Sequence, residues 1–237
     1  MKSLRLSICL VAALSLSQAA FGQSGFPFTE ETLHYNINWP SGLSLGEAVF
    51  AAHHNGSGNW DFDLNLNAAV PGYAVADHFL GSATADLCSL SFLKDTSHGG
   101  KKSTEKTTFD QAAHSAHRAT TLPSNGGDST FDIAACARDA LTYVYYGRRE
   151  LGQGRVPQAQ TVYFGAAYSA KMDYTGPQNI QYNNKSTVTD HLNATVQGPR
   201  SSFSFEVFYA RDAARTPLKI RIPLPVGAIS VDLIPTP

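Results

Sequence analysis

The sequence predicts a mainly β protein, an antiparallel β-roll or open barrel packed around one α-helix. Three observations carry this. Apolar and polar residues alternate along much of the chain, as with Leu33, Tyr35, Ile37 and Trp39 against His34, Asn36 and Asn38, the pattern of a strand with one dry and one wet face. Turn-forming residues recur at short intervals, with 19 glycines and 12 prolines in 237 residues, the punctuation expected of strands joined by turns. Helical periodicity stands out in one segment only.

The first 22 residues have the character of an export leader. Lys2 and Arg5 give a positive start, Leu6 to Leu16 is apolar but too short to span a bilayer, and Ala20-Phe21-Gly22 places small residues for cleavage before Gln23. Residues 23–237 are then expected to form a single β-rich domain, with no second apolar segment long enough to cross a membrane. That product would be periplasmic or extracellular.

A meander opens this domain. Leu33 to Trp39 is one strand, Gly46 to Phe50 another, and Trp60 to Ala68 a third, with Asp61, Asp63, Asn65 and Asn67 on its wet face. Pro40-Ser41-Gly42 and Asn55 to Asn59 are the turns between them. A helical turn is expected at Ala76 to Leu80. The stretch from Ser97 to Gly127 is the most polar, with Lys101, Lys102, Lys106, His114, His117 and Arg118. It is expected to be a pair of exposed strands and a loop, since charge runs are usually solvated faces.

The helix is predicted over about residues 132–147. Asp132 serves as N-cap, while Ile133, Ala137, Leu141, Val144 and Tyr145 recur at helical spacing. Gly147 marks the stop, and Arg148 and Arg149 suit a helix C-terminus. A lone helix in a β-rich chain plugs or covers an open sheet. Strands are expected again at Thr161–Tyr168, Gln178–Tyr182, Ser186–Val196, Ser202–Ala210, Leu218–Ile222 and Ala228–Leu233. Gly176-Pro177, Gly198-Pro199 and Pro223 to Gly227 break them.

Composition excludes several function classes. Charged residues make up 16% of the chain and aromatics 11%, which does not suit a disordered tail. Lys and Arg number 18 against 19 Asp and Glu, a near-neutral balance that argues against a nucleic-acid partner. Loss of the leader leaves 16 against 19, a net charge of −3. Of three cysteines, Cys9 lies in the leader, so Cys88 and Cys136 remain as a disulfide candidate in an oxidising compartment. Two separate buried thiols are the alternative.

Three residue sets could carry chemistry. Asp61 and Asp63 share a strand face about 6.5–7 Å apart, with Glu47 on a neighbouring strand. Paired carboxylates at such separations can hydrolyse a glycosidic bond if one is desolvated. Their alternation with Asn65 and Asn67 favours a hydrated face instead. His53-His54 and His114 with His117 lack a matching carboxylate or cysteine, and no metal is expected. No nucleophile elbow, zincin motif or phosphate loop occurs, and no cofactor is implied. Tyrosines gather in the second half, and Tyr143, Tyr146, Tyr163 and Tyr168 are candidates to line a lipid or glycan site; ordinary core aromatics are the competing reading.

Three stretches resemble a family of bacterial exported proteins, domain of unknown function 3108. They are Glu31 to Trp39 with Gly42 and Leu45-Gly46-Glu47-Ala48; Thr130-Phe131-Asp132 with Asp139 to Arg148; and Asp212, Arg215 to Ile220 and Pro225 to Ile229. The resemblance implies an antiparallel roll or open barrel around a helix, and brings no settled activity or catalytic residue. Gly147 departs from it, standing where a larger apolar residue is common. Arg148 is expected to bond a strand carbonyl or a carboxylate such as Asp212.

The leading expectation is an exported, non-enzymatic envelope protein that either binds a lipid or glycan in its roll or simply acts as a structural envelope module. The alternatives are a carbohydrate-active hydrolase using Glu47, Asp61 or Asp63, and a module that pairs with an envelope protein partner through a strand edge.

Overall fold

A computed structural model describes residues 26–70, 72–199, 201–225 and 227–235. The leader predicted over residues 1–22 lies outside the described residues. The first half is a meander of β1 (Glu30–Asn38), β2 (Ser44–His54), β3 (Trp60–Val70), β4 (Tyr73–Ala83), β5 (Ser89–His98), β6 (Lys101–Asp110), β7 (Ser115–Leu122) and β8 (Asp128–Asp132). A short β9 (Arg138–Asp139) leads into α1 (Ala140–Gly152). The second meander is β10 (Gln160–Tyr163), β11 (Ala167–Tyr182), β12 (Lys185–Gln197), β13 (Ser202–Ala210), β14 (Pro217–Leu224) and β15 (Gly227–Leu233).

All fifteen strands belong to one sheet, ordered β8-β7-β6-β5-β4-β3-β2-β1-β15-β14-β13-β12-β11-β10-β9. The two meanders join through β1 and β15, paired from Tyr35 opposite Leu233 to Asn38 opposite Ser230. The pairings are antiparallel except for β9 with β10. Leu64 sits opposite Phe50 on β2 and Phe79 on β4, and Phe50 opposite Leu33 on β1. These apolar residues of β1 to β4 therefore share one face, and the sheet curls to bury it, while β10 and β13 are buried on both faces, through Val162 and Tyr163 and through Val207 and Phe208.

One end of the sheet, at β9, meets β5 at a seam. The Ser89 N–H donates to the Ala137 carbonyl at 2.9 Å. The Gln111 amide donates to the carbonyls of Ser89 (2.6 Å) and Ala137 (3.1 Å) and accepts from the Ala137 N–H (3.0 Å). Cys88 and Cys136 form a disulfide beside this clamp. Tyr163 of β10 packs against Phe131 and Phe109, with ring centroids 5.4 and 5.8 Å apart, so the β6–β8 wing laps over β10.

The helix lies further along the chain than predicted. Asp132 ends β8 and is exposed. The N-cap is Asp139, whose carboxylate accepts from Leu141 N (2.8 Å) and Thr142 N (3.0 Å). Both aspartates fit a cap locally. Asp139 prevails because it is fully buried and Ser89 Oγ donates to it at 2.5 Å across the seam. Gly147 does not end the helix; it is buried against Met172 and Pro157, where an added Cβ would stand 3.5 Å from each. A larger residue would crowd those neighbours.

Other expectations change with pairing. Ala76 to Leu80 is strand, not helix, since it pairs with β3 on one side and β5 on the other. Gly176-Pro177 does not break a strand; β11 runs through with a register shift between Tyr174 and Gly176. Thr161–Tyr168 is not one strand but two, turned at Phe164–Ala166.

Candidate functional site

The helix crosses the roll at one end. Its first residues sit at the seam: a Cβ on Gly81 would stand 3.6 Å from that of Leu141. Tyr145 stacks on Phe62 at 4.4 Å, and Tyr143 packs with Val162, Met172, Leu192 and Val207. Its last turn reaches the β13–β14 turn, where Gly152 faces the Ala213 carbonyl. This is the closed end.

An ion pair anchors the helix there. The Arg148 side chain is 1% exposed and bonds both oxygens of Glu31, at 2.6 and 2.8 Å. Its Nε donates to the carbonyls of Ala214 (3.1 Å) and Arg215 (3.2 Å). The rings of Tyr145, Phe28 and Phe26 lie 5.0, 5.6 and 5.8 Å from its guanidinium carbon. Burial alone would lower the Arg148 pKa, but the Glu31 hydrogen bonds and charge outweigh it and raise it. The carbonyls it meets belong to the β13–β14 turn rather than to a strand, and the carboxylate is Glu31 rather than Asp212. Asp212 instead accepts from Thr216 N (3.0 Å) and Thr216 Oγ1 (2.7 Å), holding its own turn.

Beyond the helix the strands run on to an open end. The inner face from β12 through β15 to β3 is apolar there. Tyr35, Ile37, Leu45 and Ala48 are buried, but Leu66, Trp39, Ile229 and Val231 around them are only partly covered. Phe203 and Ile222, on the same face near the mouth, are 56% and 39% exposed. In a filled interior such side chains would be enclosed on all sides. Here α1 covers one end of the concavity and the apolar wall continues past it.

The facing wall, on β4 to β7, is polar. His98 Nε2 lies 2.7 Å from Asp77 Oδ1. Arg118 donates to the Gly165 carbonyl, and Lys94 stands 4.8 Å over the Phe164 ring. These bonds tie the β10–β11 turn to the wing. The mouth is therefore amphipathic, with one greasy wall and one charged wall.

The predicted site residues distribute differently. Glu47, Asp61 and Asp63 lie on the convex face, where Glu47 sits opposite Asn36 and Asn67. Asn55 donates to Asp61 at 2.9 Å, Asn65 to Asp63 at 2.7 Å, and His78 Nε2 lies 3.2 Å from Asp63. Among the described residues no buried cleft encloses these three carboxylates, whereas a hydrolase requires one of the pair to be desolvated. A polar depression of about 220 Å³ on this face is lined by Asn65, Asn67, His78 and Lys102 among others. His54 packs on Trp60 inside while His53 is exposed, and no group of three potential metal ligands occurs among the described residues.

Of the tyrosines, Tyr143 and Tyr163 are core residues, 6% and 7% exposed, and burial raises both hydroxyl pKa values. Tyr146 is covered by the Arg138 guanidinium, 3.8 Å from its ring centroid. These three do not meet at a pocket, because α1 faces inward on both sides. Tyr168 alone lies on the inner face towards the open end, beneath Gly198. Sequence reasoning missed Glu31, Ser89, Gln111 and Asp139. Glu31, Ser89 and Gln111 have partners 117, 50 and 26 residues away, so local spacing carries no signal for them; Asp139 fits a cap locally, and only its bond to Ser89, 50 residues away, sets it above Asp132.

The arrangement defines a class: a β-barrel-like rolled sheet, covered at one end by a helix, with partly covered apolar side chains on its inner face beyond it. The family model described as Protein of unknown function (DUF3108) matches residues 32–234, and the chain belongs to that family. Among solved structures, the chain is similar to a beta-barrel-like protein of domain of unknown function DUF1849 from Brucella abortus, with a TM-score of 0.64 and 7% identity over 89% of this chain and 98% of that one. At that identity the likeness concerns the fold. No curated protein matches the chain.

Proposed function

We propose that this is an exported, non-enzymatic envelope protein that holds the acyl chain of a lipid in its rolled sheet. One observation carries the reading: past α1, the inner face of β12 to β3 presents apolar side chains that no helix among the described residues covers. A surface of that kind stays in water only at a cost of about 25 cal/mol per Å² of apolar area. An alkyl chain removes it without leaving polar groups unpaired, and the polar wall suits a headgroup. A glycan is less well served, because Tyr143, Tyr146 and Tyr163 are committed to packing. Pairing through the free edge of β8 is also less well served, since Asp128 and Asp132 bracket that five-residue strand.

Native mass spectrometry of the protein recovered from its own host tests this. The expected result is a retained lipid, lost from an Ile222→Asp, Phe203→Asp double variant that still folds. Ligand-free protein, or equal retention by that variant, refutes the reading.

A further inference from the structure

The turns at the two ends of the roll differ in chemistry. At the closed end they are Asn55 to Asn59, Thr84 to Cys88, Gln111 to His114, Asn183-Asn184 and Arg211 to Thr216. These are small or polar apart from Leu87, which is fully buried, although Val188 beyond the Asn183-Asn184 turn and Val156 after α1 are 48% and 42% exposed. At the open end, exposed apolar side chains ring the mouth. Leu43 on the β1–β2 turn is 62% exposed, Tyr73 after the β3–β4 turn 48%, and Leu122 before the β7–β8 turn 40%. Phe203 and Ile222 continue this ring inward on β13 and β14. The turns share one end: Tyr73 lies against Gly99 of the next turn, and Pro40 against Gly227 of the β14–β15 turn.

Charge at this end is complementary to an anionic surface. Lys101 and Lys102 open β6 between the Tyr73 and Leu122 positions, and both are exposed. Neither has a carboxylate within ion-pair distance among the described residues. Of the acidic groups nearby, Asp77 lies 2.7 Å from His98 and Asp128 4.0 Å from His117, while Asp95, which lines the convex depression with Lys102, accepts from Thr104 Oγ1 at 3.0 Å.

We infer that the open end seats on the surface of an anionic phospholipid bilayer. Leu43 and Tyr73 enter the boundary between headgroups and acyl chains, where apolar bodies are buried and a tyrosine hydroxyl stays wet. Lys101 and Lys102 meet lipid phosphates, and the concavity opens onto the leaflet. This goes beyond acyl-chain binding, because the rim can dock whether or not the interior holds a ligand.

The test is flotation of the protein recovered from its host with vesicles of phosphatidylcholine alone and of phosphatidylcholine mixed equally with phosphatidylglycerol. The protein is expected to float with the mixed vesicles and to be released by salt. Lys101→Gln with Lys102→Gln weakens partitioning about 25-fold, as two lysines near an anionic surface require. Leu43→Ser with Tyr73→Ser weakens it about tenfold through lost apolar burial. Ala112→Ser, at the closed end, leaves it unchanged. Because these side chains are exposed, each variant keeps the parental melting temperature. Absence of flotation with mixed vesicles, or rim variants that float like the parent, overturns the inference. Flotation without a retained lipid supports docking and sinks the acyl-chain reading; a retained lipid without flotation does the reverse.

Discussion

Arg148→Ala is the sharpest test of how this roll is held together. The substitution removes a bidentate bond to Glu31 and the donor to the Ala214 and Arg215 carbonyls. It strands Glu31, whose side chain is only 11% exposed, beside the buried hydroxyls of Tyr35 and Tyr145. Breaking one partner of a buried pair costs about 3–5 kcal/mol, because the other charge stays buried and uncompensated. For a chain of this size that lowers the melting temperature by roughly 6–20 °C. Arg148→Lys should recover little of it, since an ammonium cannot supply the guanidinium fork. Asp212→Ala is the control. It removes a turn cap and should cost about 1 kcal/mol, with no coupling to Arg148 in a double-mutant cycle. Calorimetry or thermal circular dichroism reads all three. A shift under about 2 °C for Arg148→Ala, or strong coupling between Arg148 and Asp212 rather than Glu31, would refute the assignment.

Two further outcomes follow from the same structure. The Cys88–Cys136 bridge spans 48 residues, so in the chain-entropy model its removal costs about 4 kcal/mol; Cys88→Ser with Cys136→Ser should melt roughly 8–16 °C lower, and equal melting temperatures would mean that the Gln111 clamp alone holds the seam. Burial raises the hydroxyls of Tyr35, Tyr143, Tyr145 and Tyr209, those of Tyr143 and Tyr209 to about 12. Their folded pKa values exceed the unfolded value near 10, so the stability they contribute is complete below about pH 10 and is lost as pH rises through the folded values. Phenolate absorbance should therefore appear in two phases, the second coinciding with loss of circular dichroism; a single phase near pH 10 in the folded protein would contradict the burial.

Much of the fold is legible locally. The alternation in Trp60 to Ala68 places Phe62 and Leu64 inward and Asp61 and Asp63 outward without any tertiary information, because side chains on a strand alternate faces. The same logic put His53 and His54 on opposite faces. The helix was legible as an element but not in its bounds. Ile133 and Ala137 fit its period, yet the chain between Asp132 and Arg138 is spent reaching the seam and its disulfide.

By itself, then, the sequence determined the class of structure, the strand faces and the existence of one helix, since these follow from periodicities of two and 3.6 residues. Only the tertiary structure decided which aspartate caps that helix, which carboxylate meets Arg148 and which tyrosines are committed to the core. It also decided that the apolar turns gather at one end. Each of these depends on residues tens to more than a hundred positions apart meeting when the sheet rolls closed, and a local pattern holds no record of such meetings.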